Sequence, residues 1–500
     1  MSGIKKLAGQ TIWYGVSSIA VKFIGYLIMP LLTYSGHVTV ADFGRQSLLY
    51  SAIPVLSILF TYGFETAYFR FSAKEENRKT IYNTAFISIF FSTIVLAAVL
   101  WYFQGLIGDF IGFTSIPVIA QLAVFIVVVD TLNKIPLAKL RQEERPLKYA
   151  FVNISGVVIM ILLVWFFVNY CPAQLTKDPN SWVGRFFDMN TNPIVYVLLA
   201  NLVQGLVTLL LLSKEIFSVR FTFNTRLWKE MMVYALPLLI VGFGGIINET
   251  FDRLMLKAWL PGTAEYKVEQ VGIYNACYKL SLLITLFVQA FKMGAEPFFF
   301  KQAEAQNPQK VYARVMKFFV IVVTTMFLAV SLFIPIWSHL TGPRYRSALG
   351  IVPILLLANI FLGVYYNLTI WFKVSNKTIA GTYITLIGTA VTLVINYCFI
   401  PRYGYFASAW ATFFCYGTMM VVSYKWGQKV YPVPYVTKKM IAYLVIVVLL
   451  FFIHKGITYF IPQTLFGLGL GAVLLAAYTW FVLRVEKKEF QKLPVIGKYI

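Results

Sequence analysis

Apolar stretches of about 20 residues recur along nearly the whole chain, and a run of that length is what an α-helix needs to cross a bilayer core. Short polar connections separate them. Read with a window of about 19 residues, the pattern predicts fourteen membrane helices, at 11–34, 44–69, 81–103, 116–138, 149–169, 193–213, 232–258, 272–298, 311–337, 348–371, 378–400, 405–424, 440–461 and 465–483. The second and eighth carry polar residues, and the last two are separated by a few residues only. The longest connection, 170–192, carries no catalytic-looking cluster, which leaves no room for a soluble catalytic or nucleotide-binding domain. The opening MSGIKKLAGQ precedes a full-length apolar span without a small-residue cleavage site, so it reads as the start of a retained helix rather than a signal peptide.

The basic residues of the connections give the orientation. The N-terminus, the even-numbered loops and the C-terminal tail hold 28 Lys and Arg, against seven in the odd-numbered loops: Lys177, Arg185, Lys267, Arg344, Arg346, Arg402 and Lys455. Cytoplasmic loops carry the excess of positive charge. The expectation is therefore a multi-pass protein with both termini cytoplasmic, which requires an even number of helices.

Composition agrees. Of 500 residues, 59% are hydrophobic and 13% charged, whereas a soluble chain carries about 25% charged residues. The net charge of +23 would ordinarily raise nucleic acid as a partner, but these cations sit between apolar spans and form no basic domain, so membrane topology accounts for them. No GxxxxGK[ST] phosphate loop is present, which excludes direct ATP drive by this chain. Cys171, Cys277, Cys398 and Cys415 fall at no metal-ligand spacing; three of them lie inside or beside apolar spans, where a lone cysteine is usually a small core residue, and no metal site is expected.

An internal repeat organises the spans. Gly63-Phe64-Glu65 with Phe69-Arg70 lines up with Gly294-Ala295-Glu296 with Phe300-Lys301 at an offset of 231. Upstream, Phe43-Gly44 and Tyr50 line up with Val271-Gly272 and Tyr278; downstream, Lys79 meets Lys310, and Arg141, Arg145 and Gly156 meet Lys373, Lys377 and Gly388. Tyr14 meets Tyr234 at 220, the longer loop 259–271 absorbing the difference. Helices 1–6 and 7–12 thus read as two copies of one unit inserted with the same topology, a parallel repeat with a central cavity between two lobes. The predicted fold class is an all-α polytopic membrane protein. Its parts are an N-terminal lobe (1–230), a C-terminal lobe (231–430), and helices 13–14 with a cytoplasmic tail (431–500). That is transporter architecture.

Ionisable residues at bilayer depth are costly, so they line wet cavities or pair with one another. Eight cations fall within the spans: Lys22, Arg45, Lys134, Arg253, Lys257, Lys279, Lys292 and Lys317. Arg45, Lys257 and Lys317 lie near helix ends and can snorkel to the headgroups. Lys22 lies near the middle of its span, where snorkelling is hardest. In the seventh helix, Glu249 and Arg253 share a face four residues apart, with Asp252 beside them. One reading is an internal ion pair; the other is an acidic pair binding a coupling cation or proton, with Arg253 on a substrate phosphate. Asp130 and Lys134 repeat the spacing in the fourth helix, where a structural pair is the preferred reading. Glu65 and Glu296 occupy equivalent inner ends, each shortly before a cation (Arg70, Lys301). They read as gate contacts to the basic residues of loops 4 and 10. The excess of cations within the spans makes a basic cavity, which concentrates anions.

Several short motifs carry a family resemblance: Lys5-Lys6 ahead of Pro30-Leu31-Leu32, Asp42-Phe43-Gly44 opening the second helix, and Tyr234-Ala235-Leu236-Pro237. In the second lobe stand Val271-Gly272-Ile273-Tyr274 and Gly342-Pro343-Arg344-Tyr345-Arg346-Ser347-Ala348 leading to Pro353-Ile354-Leu355. With these, the chain resembles, over essentially its full length, a bacterial polysaccharide (O-antigen type) flippase of the multidrug/oligosaccharidyl-lipid/polysaccharide exporter superfamily. The resemblance implies movement of an undecaprenyl-pyrophosphate-linked oligosaccharide across the bacterial cytoplasmic (inner) membrane by alternating access, in concert with other polysaccharide-assembly membrane proteins. No cofactor is implied beyond coupling to a proton or sodium gradient. On that reading Lys22, Arg253, Lys279 and Lys292 are the substrate contacts, Asp130, Glu249 and Asp252 the coupling candidates, and Glu65, Arg70, Glu296 and Lys301 the gate. A drug/cation antiporter of the same superfamily should instead show a carboxylate-dominated cavity. A lipid II flippase shares the fourteen-helix plan. A membrane polymerase or glycosyltransferase needs a large external loop or an acidic cluster; the loops are short, and His37, His339 and His454 are scattered.

Overall fold

The computed structural model describes residues 20–72, 77–113, 116–302, 306–375 and 377–491, and these residues are helical throughout, without a strand. The long helices are α1 (Ala20–Thr33), α2 (Val40–Thr61), α3 (Arg78–Tyr102), α4 (Pro117–Gln142), α5 (Pro146–Lys177), α6 (Pro193–Leu211) and α7 (Thr225–Trp259). They continue as α8 (Ala264–Gln302), α9 (Pro308–Ser331), α10 (Pro343–Val374), α11 (Ile379–Tyr403), α12 (Tyr405–Val430), α13 (Thr437–Phe460) and α14 (Thr464–Val485). Twelve are long and apolar enough to cross a membrane, and α7, bent by 46° between Pro237 and Gly242, makes thirteen. The predicted span 11–34 is described only as α1, so its first half lies outside the described residues. The all-helical, polytopic class read from the sequence is the class found.

Local chemistry sets the boundaries. Thr39 and Asp42 form a reciprocal capping box at the start of α2, satisfying two of the donors a helix N-terminus leaves open. Pro117, Pro146, Pro193 and Pro308 each open a helix, where the missing N–H costs nothing. The predicted second span is broken in two: Tyr62 (φ 35°) and Gly63 (φ 75°) leave the right-handed region before a short helix resumes at Phe64–Ser72. Pro237 removes a backbone donor inside α7 at the bend.

Two connections are shorter than the hydropathy pattern suggested. α8 starts at Ala264, so much of the predicted loop 259–271 is helical. α5 runs on to Lys177 through a π-turn at Phe166–Tyr170. Polar residues continue both helices beyond the apolar window, Glu265, Lys267 and Glu269 in α8 and Gln174, Thr176 and Lys177 in α5, which a hydropathy average cannot register.

The chain packs as two compact units. The first holds Met1–Ala276 with Thr341–Tyr345 and Thr385–Ala411. Small residues allow its helices to approach closely, the usual means of packing where lipid is as apolar as the partner helix. A Cβ on Gly205 of α6 would lie 2.8 Å from Val129 Cγ1 of α4, and one on Gly156 of α5 3.3 Å from Gln204 Cγ of α6. Asn133 Nδ2 donates to the Gly205 carbonyl at 3.0 Å. At its basic end, the buried Glu215 accepts from Arg145 (3.0 Å) and Lys148 (2.6 Å).

The second unit holds Cys277–Leu340, Arg346–Ile384 and Thr412–Ile500. Trp371 packs over Gly427 and donates to Ser423 Oγ at 3.2 Å. Gly363 of α10 lies against Phe319 and Val288. Only 17% of the apolar window of α13 and 22% of that of α14 are buried, against 72% for α8, so the outer faces of the last two helices are left to lipid. α14 is nonetheless fastened: Lys317 of α9, read from the sequence as a snorkelling cation, is buried and donates to Glu486 Oε2 at 2.6 Å. Glu486 also accepts from Lys439 (3.0 Å) and Tyr443 (2.8 Å).

Candidate functional site

The seventh helix carries the most developed polar cluster. Asp252 and Arg253 are both buried, at 4% and 5% exposure. Arg253 Nη1 lies 2.8 Å from Asp252 Oδ1 and also donates to the Glu249 carbonyl at 3.1 Å. Arg253 Nε donates to Asn275 Oδ1 at 3.0 Å, and the Tyr274 hydroxyl donates to Asp252 Oδ2. Asn275 in turn donates to Ser47 Oγ of α2 at 2.8 Å. Burying a charge is costly unless it is paired and hydrogen-bonded, and here both conditions hold. The arrangement differs from the predicted pairing across one helical turn: the guanidinium meets the neighbouring Asp252 carboxylate and only the backbone of Glu249. The Glu249 side chain is exposed and interacts electrostatically with Lys22 of α1. Lys22 is itself exposed.

In α4, Asp130 and Lys134 interact electrostatically, and Tyr50 of α2 is a further electrostatic neighbour of Asp130. Gly205 of α6 packs close to Asp130 as well, since a Cβ on it would stand 3.6 Å from Asp130 Oδ1. In the second unit, Lys279 is partly buried. Lys292 lines a pocket between α8 and α10 with Phe291, Phe299, Tyr366, Asn367 and Lys373, its Nζ lying 4.2 Å from the centre of the Tyr366 ring. The Asn367 Oδ1 there is buried and accepts no hydrogen bond from the described residues.

Toward the basic connections, Glu65 Oε1 pairs with Arg141 Nη1 at 3.0 Å, both partly exposed. Arg141 also lies over the Phe69 ring (4.8 Å) and Arg70 over the Tyr234 ring (4.2 Å). The side chains of Glu296 and Lys301 lie outside the described residues.

At the opposite end is a cluster that sequence reasoning missed. Arg45, taken from the sequence as a snorkelling residue, pairs with Asp42 (3.4 Å) and with Glu265 of α8. Asn192, the capping residue of α6, donates to Asp42 Oδ1 at 2.8 Å. The three-residue spacing of Asp42 and Arg45 is the one signal that was available; Asn192 and Glu265 lie 150 and 220 residues away in the chain.

Residues 7–303, more than half of the chain, match the family model described as polysaccharide biosynthesis protein. The chain belongs to that family. In fold, this family member is similar to the lipid II flippase MurJ in an inward closed conformation, with a TM-score of 0.65 at 11% identity over 94% of this chain and 98% of that one. It is also similar to an inward-facing multidrug resistance MATE family transporter of the MOP superfamily, with a TM-score of 0.61 at 13% identity over 84% and 94% of the two chains. No curated protein matches it in sequence. The polysaccharide family expected from the sequence is therefore the family found, and its fold is the one shared by the MurJ and MATE structures.

Proposed function

We propose that this protein flips an undecaprenyl-pyrophosphate-linked oligosaccharide from the inner to the outer leaflet of the bacterial cytoplasmic membrane, both of its own termini being cytoplasmic. The observation that carries the reading is the family match over residues 7–303, joined to a set of cations inside apolar helices suited to a polyanionic head. Lys22, Lys279 and Lys292 are the first candidates to hold pyrophosphate or acidic sugars, because a basic, low-dielectric site concentrates anions. Arg253 is already engaged by Asp252 and Asn275, so substrate contact there requires that network to loosen. Asp130, Glu249 and Asp252 are the proposed sites of coupling to a proton or sodium gradient. Residues 1–230 and 231–430 act as the two lobes, and 431–500 supplies the outlying helices.

A relative in fold flips lipid II, and the same test separates that substrate. In cells depleted of the protein, the lipid-linked oligosaccharide is expected to accumulate on the inner leaflet while surface polysaccharide disappears and peptidoglycan synthesis continues. Arrest of peptidoglycan synthesis with normal surface polysaccharide would move the assignment to lipid II. Normal levels of both, with lost efflux of organic cations, would move it to drug/cation antiport.

A further inference from the structure

The two copies of the sequence repeat touch each other through matching residues. Gly44 of α2 and Gly272 of α8 occupy equivalent repeat positions and lie in direct contact. A Cβ on Gly44 would fall 1.9 Å from the Val268 carbonyl oxygen, and a Cβ on Gly272 would fall 2.6 Å from the Val40 carbonyl oxygen and 3.0 Å from Gly44 N. Val40 stands four residues before Gly44, and Val268 four before Gly272. Each glycine therefore rests on the carbonyl one turn upstream of the other glycine. Three residues downstream the pattern repeats, since Asn275 Nδ2 donates to Ser47 Oγ at 2.8 Å. Such mutual contact, i to j and j to i, is the signature of a two-fold axis; here it relates two segments of one chain.

We propose that this reciprocal α2–α8 seam is the outer gate of the transporter, and that glycine at 44 and 272 is what allows the gate to close. The inference rests on the proposed reading, in which α2 and α8 both begin on the outer side and the two repeat copies must part there for release. The seam has the build of a gate. Backbone meets backbone at both glycines, so closure is tight, yet contacts of this kind are individually weak. Beside it, the pair between Arg45 and Glu265, whose carboxylate side chain is 56% exposed, is of the screened, readily broken sort. Any side chain at 44 or 272 meets backbone, which cannot swing away.

The test reads accessibility from outside intact cells. Ser47 is buried at 4% exposure one turn below Gly44; S47C serves as reporter, labelled by a membrane-impermeant maleimide and read by mass spectrometry at the peptide carrying position 47. With Gly272→Leu, labelling should rise roughly tenfold over the Gly272 parent as the population shifts to the open state, and Gly272→Ala should give a smaller rise. Unchanged labelling in a folded Gly272→Leu protein overturns the proposal, as does labelling that appears only after the cells are permeabilised. If Gly272→Leu does not fold, Glu265→Arg, which sets two cations against each other at the exposed edge, should raise labelling roughly threefold; no rise overturns the gate equally. Labelling that responds as expected while no lipid-linked saccharide crosses supports the seam and removes the substrate reading instead.

Discussion

Lys22 and Arg253 are both cations within apolar helices, but their surroundings differ and so do the expected effects of removing them. Asp252→Asn leaves Arg253 charged, buried and without its carboxylate. Breaking a buried pair in this way costs about 3–5 kcal/mol. The thermal unfolding temperature in detergent should fall clearly, and the loss from Asp252→Asn with Arg253→Met together should be less than the sum of the single changes, since the two share one network. Lys22→Ala should leave unfolding unchanged and act on transport alone. An unchanged melt for Asp252→Asn would remove the structural account of this cluster. The sequence showed that three charges stood together on α7, but not which would pair. The one-turn spacing put Arg253 opposite Glu249, whereas Tyr274 and Asn275 of the next helix complete a site around Asp252. Partners contributed by helix packing are not encoded in the spacing along one helix.

Among the elements, α14 shows how a helix with most of its apolar face uncovered is held. Burial works to raise the Glu486 carboxyl, and hydrogen bonds from Lys317, Lys439 and Tyr443 outweigh it, holding the group below its ordinary value of 4.5. A carboxyl so lowered contributes its full stability above the unfolded value and loses it as the pH falls through the lowered folded value. Melting temperature should accordingly decline as pH drops below about 4.5, and this acid-dependent step should be absent in Glu486→Gln, which should already melt lower at neutral pH. A Glu486→Gln protein with the same acid decline would place the titration elsewhere. The Glu65–Arg141 pair is different: an exposed pair contributes roughly 0–1 kcal/mol, so Glu65→Arg should barely alter stability. If it is an inner gate contact, Glu65→Arg should change cysteine accessibility near the basic connections, and the Glu65→Arg, Arg141→Glu exchange should restore it. Helix existence was legible in the sequence because a twenty-residue apolar run has few alternatives in a membrane. Helix ends were less so, since α8 and α5 continue into polar sequence that a hydropathy window discards. Lys317 read as a snorkelling residue because Glu486 lies 169 residues on.

For the whole molecule, the uneven loop charges make a direct prediction of orientation. Arg226→Cys, at a side chain that is 91% exposed, should react with an impermeant maleimide only after permeabilisation, while Lys177→Cys, also exposed, should react on intact cells. The opposite pattern would invert the proposed direction of transport. The helical class and the polysaccharide family could both be read from the sequence, because each depends on patterns spread over hundreds of residues. The seam between Gly44 and Gly272 could not: the repeat aligned the two positions, and only packing shows that they meet.

The central claim is tested most directly by leaflet translocation in proteoliposomes holding the purified protein and an undecaprenyl-pyrophosphate-linked oligosaccharide, with wild type and Lys22→Ala at matched protein levels. The account predicts that the saccharide reaches the opposite leaflet with wild type and that the rate falls at least about tenfold with Lys22→Ala, a loss of roughly 1.4 kcal/mol in barrier terms. Well-folded wild type that moves none of several saccharide heads, under either a proton or a sodium gradient, would contradict it.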